Sequence, residues 1–131
     1  MLNKSILVVD DDDMVLMVLE KQLSGEFNVL TAESGEKALE IFEQHRPDIV
    51  LADYMMPKMN GFELMDKLHE KYGRGIFTIF MTSNDQEETE IEVYRHGALA
   101  FLRKPVKADE LLSTIRSAMD KLEVMRRSNM Q

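Results

Sequence analysis

Short apolar runs alternate with amphipathic segments along the whole chain. The runs are rich in Val, Ile, Leu and Phe, a composition that favours β-strands. The segments between them repeat apolar residues at intervals of three and four, which predicts helices with one apolar face. The pattern therefore predicts five β–α units in strict alternation. The predicted strands lie at residues 5–9, 27–30, 48–52, 76–81 and 98–102.

The apolar positions of the last two predicted helices bear on the extent of the domain. The fourth helix has Ile91 and Tyr94 on its apolar face. The pattern of the last helix fits one face packed on the sheet, or a helix that continues as a linker or dimer seam. We take residues 1–122 as one domain and 123–131 as the end of this helix or a tail. The apolar positions of the last helix are Leu111, Ile115, Ala118, Leu122 and Met125.

The predicted strands are apolar throughout instead of alternating between apolar and polar residues. Such strands are covered on both faces, and their alternation with helices requires a parallel sheet with right-handed crossovers. The fold class is therefore α/β, with a doubly wound sheet. Sheets of this kind bind ligands beyond the carboxyl ends of their strands, where the strand order reverses. The residues directly after each strand are thus the candidates for function.

Polar side chains collect at these positions. Four Asp residues at 10–13 follow the first strand, Asp53 follows the third, Thr82 the fourth and Lys104 the fifth. Carboxylates about 4 Å apart repel by about 4 kcal/mol at an effective dielectric constant of about 20, so a cation must lie among them. Mg²⁺ is typically held by one or two carboxylates and keeps water ligands that a substrate phosphoryl group can displace. The pattern therefore predicts a magnesium site at this edge.

These groups together permit phosphoryl transfer to a carboxylate. A carboxylate beside a cation, a lysine and a hydroxyl is a known covalent nucleophile that attacks phosphorus to give an aspartyl phosphate. The metal and Lys104 would neutralise charge on the oxygens of the transferring group, and Thr82 would add a hydroxyl donor. Asp53, at the end of an apolar strand, is the predicted nucleophile.

Composition excludes several other classes of function. The formal net charge is −8, from 16 basic and 24 acidic residues, so the chain lacks the basic stripe that phosphate backbones require. No Cys is present, which excludes disulfides, thiolate metal sites and cysteine nucleophiles. The longest apolar runs, about six residues, are too short for a membrane span. We expect a cytoplasmic protein with no direct nucleic-acid partner and no membrane partner.

Four motifs occur in order along the chain: VVDDD at 8–12, ADYMMPKMNG at 52–61, MTS at 81–83 and HGALAFLRKP at 96–105. Together they resemble the receiver domain of bacterial two-component response regulators, over about residues 4–122. The resemblance implies a flavodoxin-like sheet of five parallel strands in the order 2-1-3-4-5, with five helices. It also implies a phosphorylation-dependent signalling switch that is not a conventional enzyme, because a receiver catalyses only its own phosphorylation and dephosphorylation.

The resemblance assigns roles residue by residue. It makes Asp53 the phosphoacceptor, and it implies that Lys104 and Thr82 contact the phosphoryl group. It implies Mg²⁺ as the cofactor, with Asp10 acting through a water molecule. The implied metal ligands are Asp10, Asp11, Asp53 and the backbone carbonyl of Met55.

The resemblance also implies a conformational switch. Thr82 would move inward on phosphorylation and the rotamer of Phe101 would follow, which alters the surface around the fourth helix, fifth strand and fifth helix. Met55 and Asn84 occupy positions that tune the lifetime of the phosphorylated state in this family. The peptide bond before Pro105 is usually cis in the family.

The implied partners are a histidine kinase or histidine phosphotransfer protein as phosphoryl donor, a downstream effector protein or output domain, and a second copy in a phosphorylation-dependent homodimer. A chain that starts at Met1 fits a stand-alone receiver or the N-terminal receiver of a longer regulator. The alternative is a small Mg²⁺-dependent phosphatase that forms an aspartyl phosphate. Asp11, Asp13 and Val15 fit the D-x-D-x-V start of haloacid dehalogenase phosphatases, but SNDQEE is a poor match for the acidic pair those enzymes need downstream.

Several other polar and sulfur-containing residues are not assigned to the phosphorylation chemistry. Asp12 and Asp13 are typical of a helix N-terminus. Met56 and Met59 border the predicted site and are expected to contribute to a partner-docking surface. Solvated positions are expected for His45, His69 and His96, and core positions for Met14, Met17, Met65 and Met119.

Overall fold

Five parallel strands form one sheet in this protein. The structure is a computed structural model, and it describes residues 3–73, 75–83 and 87–129, without the side chains of 87–90 and 129. The strands are β1 (Ser5–Val9), β2 (Asn28–Ala32), β3 (Ile49–Asp53), β4 (Phe77–Thr82) and β5 (Ala100–Arg103). Their order is β2-β1-β3-β4-β5, and every neighbouring pair is parallel. This confirms the doubly wound, flavodoxin-like fold, in which the order reverses between β1 and β3.

A helix follows each strand. The Asp12 carboxylate caps the first helix by accepting a hydrogen bond from the amide N–H of Met14, as expected for an Asp at this position. Asn60 and Glu63 form a reciprocal capping box at the start of the third helix. These caps fix where the chain leaves the sheet edge. The helices are α1 (Asp13–Leu23), α2 (Gly35–His45), α3 (Gly61–Tyr72), α4 (Glu87–Arg95) and α5 (Ala108–Asn129).

Two layers of helices cover the two faces of the sheet. Helices α1 and α5 pack on one face, and α2, α3 and α4 on the other. All residues of β3 and β4 are buried, which agrees with the apolar runs in the sequence. Each fully buried aliphatic or aromatic side chain stabilises the fold by about 1.5–3 kcal/mol. The central strands are therefore a rigid support for whatever follows them.

Helix α4 contacts the sheet through a different residue from those predicted. Ile91 and Tyr94 are 47% and 49% exposed, whereas Val93 is fully buried. At about 100° per residue, Val93 lies about 200° from Ile91 around the helix, so anchoring the helix through Val93 turns the other two outward. The predicted apolar face of this helix was wrong, and the molecule instead exposes two large apolar side chains there.

The same correction applies to two methionines of α1. Met14 and Met17 are 65% and 54% exposed and do not fill the core as predicted. The buried side of α1 consists of Leu16, Leu19 and Leu23, which leaves the two methionines facing outward. The prediction holds for Met65 and Met119, which are fully buried.

Helix α5 packs on the sheet along most of its length. Leu111, Ile115, Ala118 and Leu122 are buried, so these four positions are explained by packing on the sheet, while Met125 is 43% exposed. The helix continues without a break to Asn129, and the division of the chain at residue 122 stays a prediction.

Two ion pairs hold the last turns of α5. Lys4 lies 3.5 Å from Glu123, and Arg126 lies 2.8 Å from Asp48. Burial on its own raises the pKa of Asp48, but hydrogen bonds from the Ser5 amide and Arg126 outweigh it and lower that pKa. The end of the helix is therefore tied to the strands on which the domain is built. Among the described residues, no helix is long and apolar enough to cross a membrane.

Candidate functional site

The predicted site residues meet at the carboxyl edge of the sheet. Asp10 follows β1, Asp53 ends β3, Thr82 ends β4 and Lys104 follows β5. Asp10 and Thr82 are fully buried, and Asp53 is 6% exposed. The parallel topology thus brings together four polar groups that are up to 94 positions apart in the sequence.

Lys104 bridges the two buried carboxylates. Its Nζ lies 2.6 Å from Oδ2 of Asp10 and 3.1 Å from Oδ2 of Asp53. The amide N–H of Lys104 donates to the carbonyl of Thr82 at 2.9 Å, which fixes the backbone from which the side chain extends. Charge-assisted hydrogen bonds of this kind are about twice as strong as neutral ones. The lysine is therefore held at the carboxylates before any ligand arrives.

The electrostatics of the site leave an excess of negative charge. Burial raises the pKa of Asp53, and the negative charge of Asp10 adds to this, against the opposing effect of the hydrogen bond from Lys104. Burial alone would lower the pKa of Lys104, but its hydrogen bonds to Asp10 and Asp53 outweigh burial and raise that pKa. One ammonium thus faces two buried carboxylates, and a further cation would relieve the imbalance.

A third carboxylate completes a group that can hold a divalent cation. Asp10, Asp11 and Asp53 each offer a carboxylate oxygen, and these oxygens lie within 4.8 Å of one another. Asp11 is exposed and opens the group toward solvent. Oxygen ligands and an open side suit Mg²⁺, which keeps several waters. The predicted role of the Met55 carbonyl stays a prediction; the Met55 amide N–H donates to Oδ1 of Asp53 at 3.2 Å.

Asp10 is fixed by the backbone on both sides. Its amide N–H donates to the carbonyl of Ala32 at 3.1 Å. Its Oδ1 accepts a hydrogen bond from the Asp12 amide at 2.9 Å, while Oδ2 faces Lys104. The run of four acidic residues therefore divides into two pairs. Asp10 and Asp11 belong to the site, whereas Asp12 caps α1 and Asp13 is its first residue.

The peptide after Asp53 is held by a close contact with α3. The Tyr54 amide donates to the carbonyl of Met81 at 2.8 Å, and the Gly61 amide donates to the carbonyl of Tyr54 at 2.9 Å. A Cβ at Gly61 would lie 2.8 Å from the Phe80 ring and 2.9 Å from the carbonyl oxygen of Asp53. Only a glycine allows α3 to start this close to the end of β3, so Gly61 helps to position the carboxylate.

The loop between β3 and α3 is packed inward. Met56 and Met59 are 9% and 8% exposed and belong to the core on the α2–α3 face, so their predicted place in a docking surface was wrong. A Cβ at Gly35 would lie 2.6 Å from the sulfur of Met59, which shows how closely the loop approaches α2. Lys58 adopts a positive φ of 67° at the tip of the loop. Compact packing of these apolar side chains fixes the loop beside the site.

The residues implied as the switch lie on neighbouring strands. Thr82 is fully buried at the end of β4, and Phe101 is half-buried in β5 with the guanidinium of Arg103 5.4 Å from its ring centroid. The peptide bond between Lys104 and Pro105 is cis. The switching roles of Thr82 and Phe101 stay predictions, and Asn84 lies outside the described residues.

An aromatic cluster beside the site was missed in the sequence. Phe62 contacts Tyr54 at 4.5 Å between ring centroids and Phe80 at 5.3 Å, edge to face. The His96 ring stacks on Phe62 at 4.3 Å between centroids and is 30% exposed, so the histidine that was expected to be solvated is solvated only in part. Phe62 and Asp66 are one turn apart on α3, but no local signal pairs them with His96, which lies 30 residues after Asp66.

This combination of fold and site defines a known class of protein. The family model for the response regulator receiver domain matches residues 6–116 of the chain. The chain belongs to the response regulator receiver domain family.

Relatives and solved structures agree with this assignment. The chain is 32% identical over 126 residues to the alkaline phosphatase synthesis transcriptional regulatory protein PhoP of Bacillus subtilis, covering 94% of this chain and 51% of PhoP. It is 32% identical over 117 residues to the nitrate/nitrite response regulator NarL of Escherichia coli. This match covers 87% of this chain and 54% of NarL. A CheY-like receiver domain protein from Methanospirillum hungatei shares 30% identity, with a TM-score of 0.86 over 93% of this chain and 98% of that structure. The chain spans about half the length of these curated relatives.

Proposed function

We propose that this receiver domain acts by accepting a phosphoryl group on Asp53. The observation that carries the proposal is the position of Lys104 Nζ, within hydrogen-bond distance of both Asp53 and Asp10 at the edge where Thr82 ends β4. The donor is phosphohistidine on a histidine kinase or a histidine phosphotransfer protein. The cofactor would be Mg²⁺, which Asp11, Asp53 and the backbone carbonyl of Met55 would hold, with Asp10 acting through a water molecule.

The chemistry is a transfer between two nucleophiles. An oxygen of Asp53 attacks phosphorus, the phosphorus–nitrogen bond of phosphohistidine breaks, and its electron pair returns to the imidazole. Lys104 places positive charge beside the transferring group, and the Thr82 hydroxyl donates to one of its oxygens. Mg²⁺, when bound, neutralises charge on the same oxygens. Because the pKa of Asp53 is raised, acidification removes the ionised nucleophile at a higher pH than for an exposed aspartate.

The surface beside Lys104 suits a donor protein with an apolar contact surface. Met14, Met17 and Val18 are exposed on α1, and a cavity of about 440 Å³ between α1 and the segment after β5 is lined by Met14, Val18, Lys104 and Pro105. The apolar patch is continuous with the phosphorylation site, so a partner bound there brings its phosphohistidine to Asp53. Exposed apolar patches of this kind mark interaction sites.

Phosphorylation would act on a second surface by shifting an equilibrium between two conformations. Thr82 and Phe101 are the proposed switch, and the affected surface comprises α4, β5 and α5. Ile91 and Tyr94 are exposed on α4, where a partner can bind them. The partner is a downstream effector protein, an output domain of a longer regulator, or a second phosphorylated copy. We place this exchange in the cytoplasm.

The geometry gives no support to the phosphatase alternative. Asp13, the second aspartate of the D-x-D-x-V pattern, is the first residue of α1 and is exposed. Among the described residues it lies outside the group formed by Asp10, Asp11 and Asp53. The lysine contacts also involve Asp10 and Asp53, neither of which is in that pattern.

Intact-mass spectrometry after incubation with acetyl phosphate tests the proposal. We expect one added phosphoryl group that requires Mg²⁺ and is absent from the Asp53→Asn variant, because the amide cannot act as the nucleophile. Asp120→Asn is the matched control, since Asp120 is an exposed aspartate on α5, and this variant should be labelled like the wild type.

Two results would overturn the proposed function. One is a wild-type protein that gains no adduct under conditions that label another receiver domain. The other is an Asp53→Asn variant that is labelled as fully as the wild type. Sustained hydrolysis of phosphomonoesters over many turnovers would favour the phosphatase instead.

A further inference from the structure

His96 lies between two helices with both ring nitrogens facing carboxylates. Its Nδ1 is 3.4 Å from Oδ1 of Asp66 on α3, and its Nε2 is 3.8 Å from Oε2 of Glu92 on α4. The ring is stacked on Phe62, with centroids 4.3 Å apart and an angle of 10° between the planes. The side chain is 30% exposed, so water and protons reach it.

This arrangement suits the protonated ring. A neutral imidazole has one N–H donor and one lone pair, so in either tautomer a lone pair would face a carboxylate. The imidazolium carries an N–H on each side. Nδ1 lies within hydrogen-bond distance of Asp66 at 3.4 Å, whereas Nε2 is 3.8 Å from Glu92 and contributes an ion pair there. A cation over an aromatic face is also favourable, and the face of Phe62 lies directly against the ring of His96. Three contacts therefore strengthen together when His96 is protonated.

Among the side chains that the structure describes, no other cation pairs with both Asp66 and Glu92. On α3 the titratable groups around His96 are Asp66, His69 and Glu70, and on α4 Arg95 lines the same cavity beside Glu92. Arg95 lies 3.4 Å from Oε1 of Glu92, the carboxylate oxygen that His96 does not face. Arg95 therefore does not replace the protonated His96 ring as the cation between Asp66 and Glu92.

The histidine is also connected to the end of β3. Phe62, on which it stacks, contacts Tyr54, the residue directly after Asp53. His96 directly follows α4, and its amide N–H donates to the carbonyl of Glu92 in that helix. Gly97, with a φ of 90°, starts the turn toward β5. A change at His96 therefore acts on α4, the helix whose exposed side chains form part of the proposed switch surface.

We propose that protonated His96 clamps the end of α4 onto α3, and that loss of this proton releases the helix, which makes the α4 surface sensitive to pH. The clamp is closed on the acid side of the histidine titration and opens as the pH rises through it. Histidine is the side chain whose ordinary titration falls between about pH 5 and 8. Its effect on signalling rests on the proposed function, because it assumes that α4 moves when Asp53 is phosphorylated.

Hydrogen exchange combined with NMR of the histidine rings tests the clamp without any phosphorylation. The amides of His96, Gly97 and Ala98 donate to carbonyls within α4 and report on its end. Corrected for intrinsic exchange, their protection should fall by about fivefold as the pH rises, in step with the ring titration of His96. His96→Gln should remove this pH dependence. The control His45→Gln, at an exposed histidine at the end of α2, should retain it.

Protection that stays constant while His96 titrates would overturn the clamp, as would an unchanged pH dependence in His96→Gln. If that variant does not fold, the wild type alone still tests the clamp. In the wild type, amide protection at the end of α4 and the NMR signal of the His96 ring must change with the same midpoint pH. Phe62→Leu gives a further check, since it removes the stacked ring and should weaken the pH dependence while leaving both carboxylates.

Labelling by acetyl phosphate then measures the consequence for the switch. A closed clamp holds the resting position of α4, so His96→Gln should be labelled faster than the wild type near pH 6, by about fivefold, and equally fast near pH 8. Equal rates at both pH values would overturn the link to signalling. Absence of labelling in both proteins would overturn the proposed function. The hydrogen-exchange experiment would still test whether His96 holds α4 against α3, because it does not depend on phosphorylation.

Discussion

The Lys104→Gln variant should be less stable than the wild type by about 2 kcal/mol at neutral pH without Mg²⁺, and about 100-fold slower in labelling by acetyl phosphate. Lys104 Nζ is the cation between Asp10 and Asp53, and its loss leaves two buried carboxylates facing each other. Breaking a fully buried pair costs about 3–5 kcal/mol, and the partial exposure of Lys104 reduces this. The slower reaction follows from the loss of a donor at the transferring group.

The stability change is measured by thermal unfolding, where it corresponds to about 7 °C for a domain of this length. Lys107→Gln is the matched control, because Lys107 is exposed in the same segment and should change stability by less than about 0.5 kcal/mol. Asp53→Asn should have the opposite sign and raise stability, since it removes one of the two competing carboxylates. A Lys104→Gln variant as stable as the wild type would contradict these electrostatics.

The pKa shift of Lys104 gives the sign of the pH dependence. Because its pKa is raised in the folded protein, the native state holds this proton more tightly than the unfolded chain does. The stabilisation is therefore fully present at neutral pH and is lost only as the pH rises through the raised pKa. Mg²⁺ should restore much of the stability of Lys104→Gln, since a divalent cation compensates the same carboxylates.

The Gly61→Ala variant should lose about 2 kcal/mol of stability and be labelled more slowly than the wild type. The new Cβ would lie 2.8 Å from the Phe80 ring and 2.9 Å from the Asp53 carbonyl oxygen, so either α3 or the end of β3 must move. Overpacking of this kind costs about 1–3 kcal/mol. Displacement of the Asp53 backbone also disturbs the distance between its carboxylate and Lys104, which slows phosphoryl transfer.

Gly25→Ala is the control for this substitution. A Cβ at Gly25 would have no heavy atom within 4 Å, so the same change in backbone freedom occurs without a steric clash. This variant should match the wild type or gain a few tenths of a kcal/mol. Thermal unfolding and labelling rates compare the two variants directly. If Gly61→Ala behaves like Gly25→Ala in both measurements, the close approach of α3 to Asp53 contributes neither to stability nor to phosphoryl transfer.

The site was predictable because parallel strands place their carboxyl ends at one edge. Asp53 and Lys104 are distant in sequence, yet each follows an apolar run, and that is enough to predict that they meet. The strand order was not predictable from the runs alone, because five alternating units can be wound in several ways. It came from the resemblance to receiver domains, and the structure confirms it.

What the sequence could not give was the rotation of each helix about its own axis. Spacings of three and four mark an apolar face but not the side that contacts the sheet, which is why Ile91 and Tyr94 were placed inward although Val93 is the buried residue. The same ambiguity misplaced Met14 and Met17 on α1. Packing against the sheet decides between such faces, and it depends on neighbours far away in the chain.

Contacts between loops and helices were equally hidden. Met56 and Met59 are polarisable, flexible side chains in a loop, and the burial of Met59 depends on the space that Gly35 leaves on α2. His96 lacks any local signal for its position, because Asp66 lies 30 residues away on another helix. Such contacts are readable only once the tertiary arrangement is known.

The most direct test of the central claim is to locate the phosphoryl group chemically. The protein is incubated with acetyl phosphate and Mg²⁺ and then treated with sodium borohydride, which reduces an acyl phosphate to an alcohol, and its peptides are sequenced by mass spectrometry. We predict homoserine at position 53, with Asp10 and Asp11 unchanged. Homoserine at position 10 or 11, or no homoserine in a protein that had gained a phosphoryl group, would contradict the assignment of Asp53 as the phosphoacceptor.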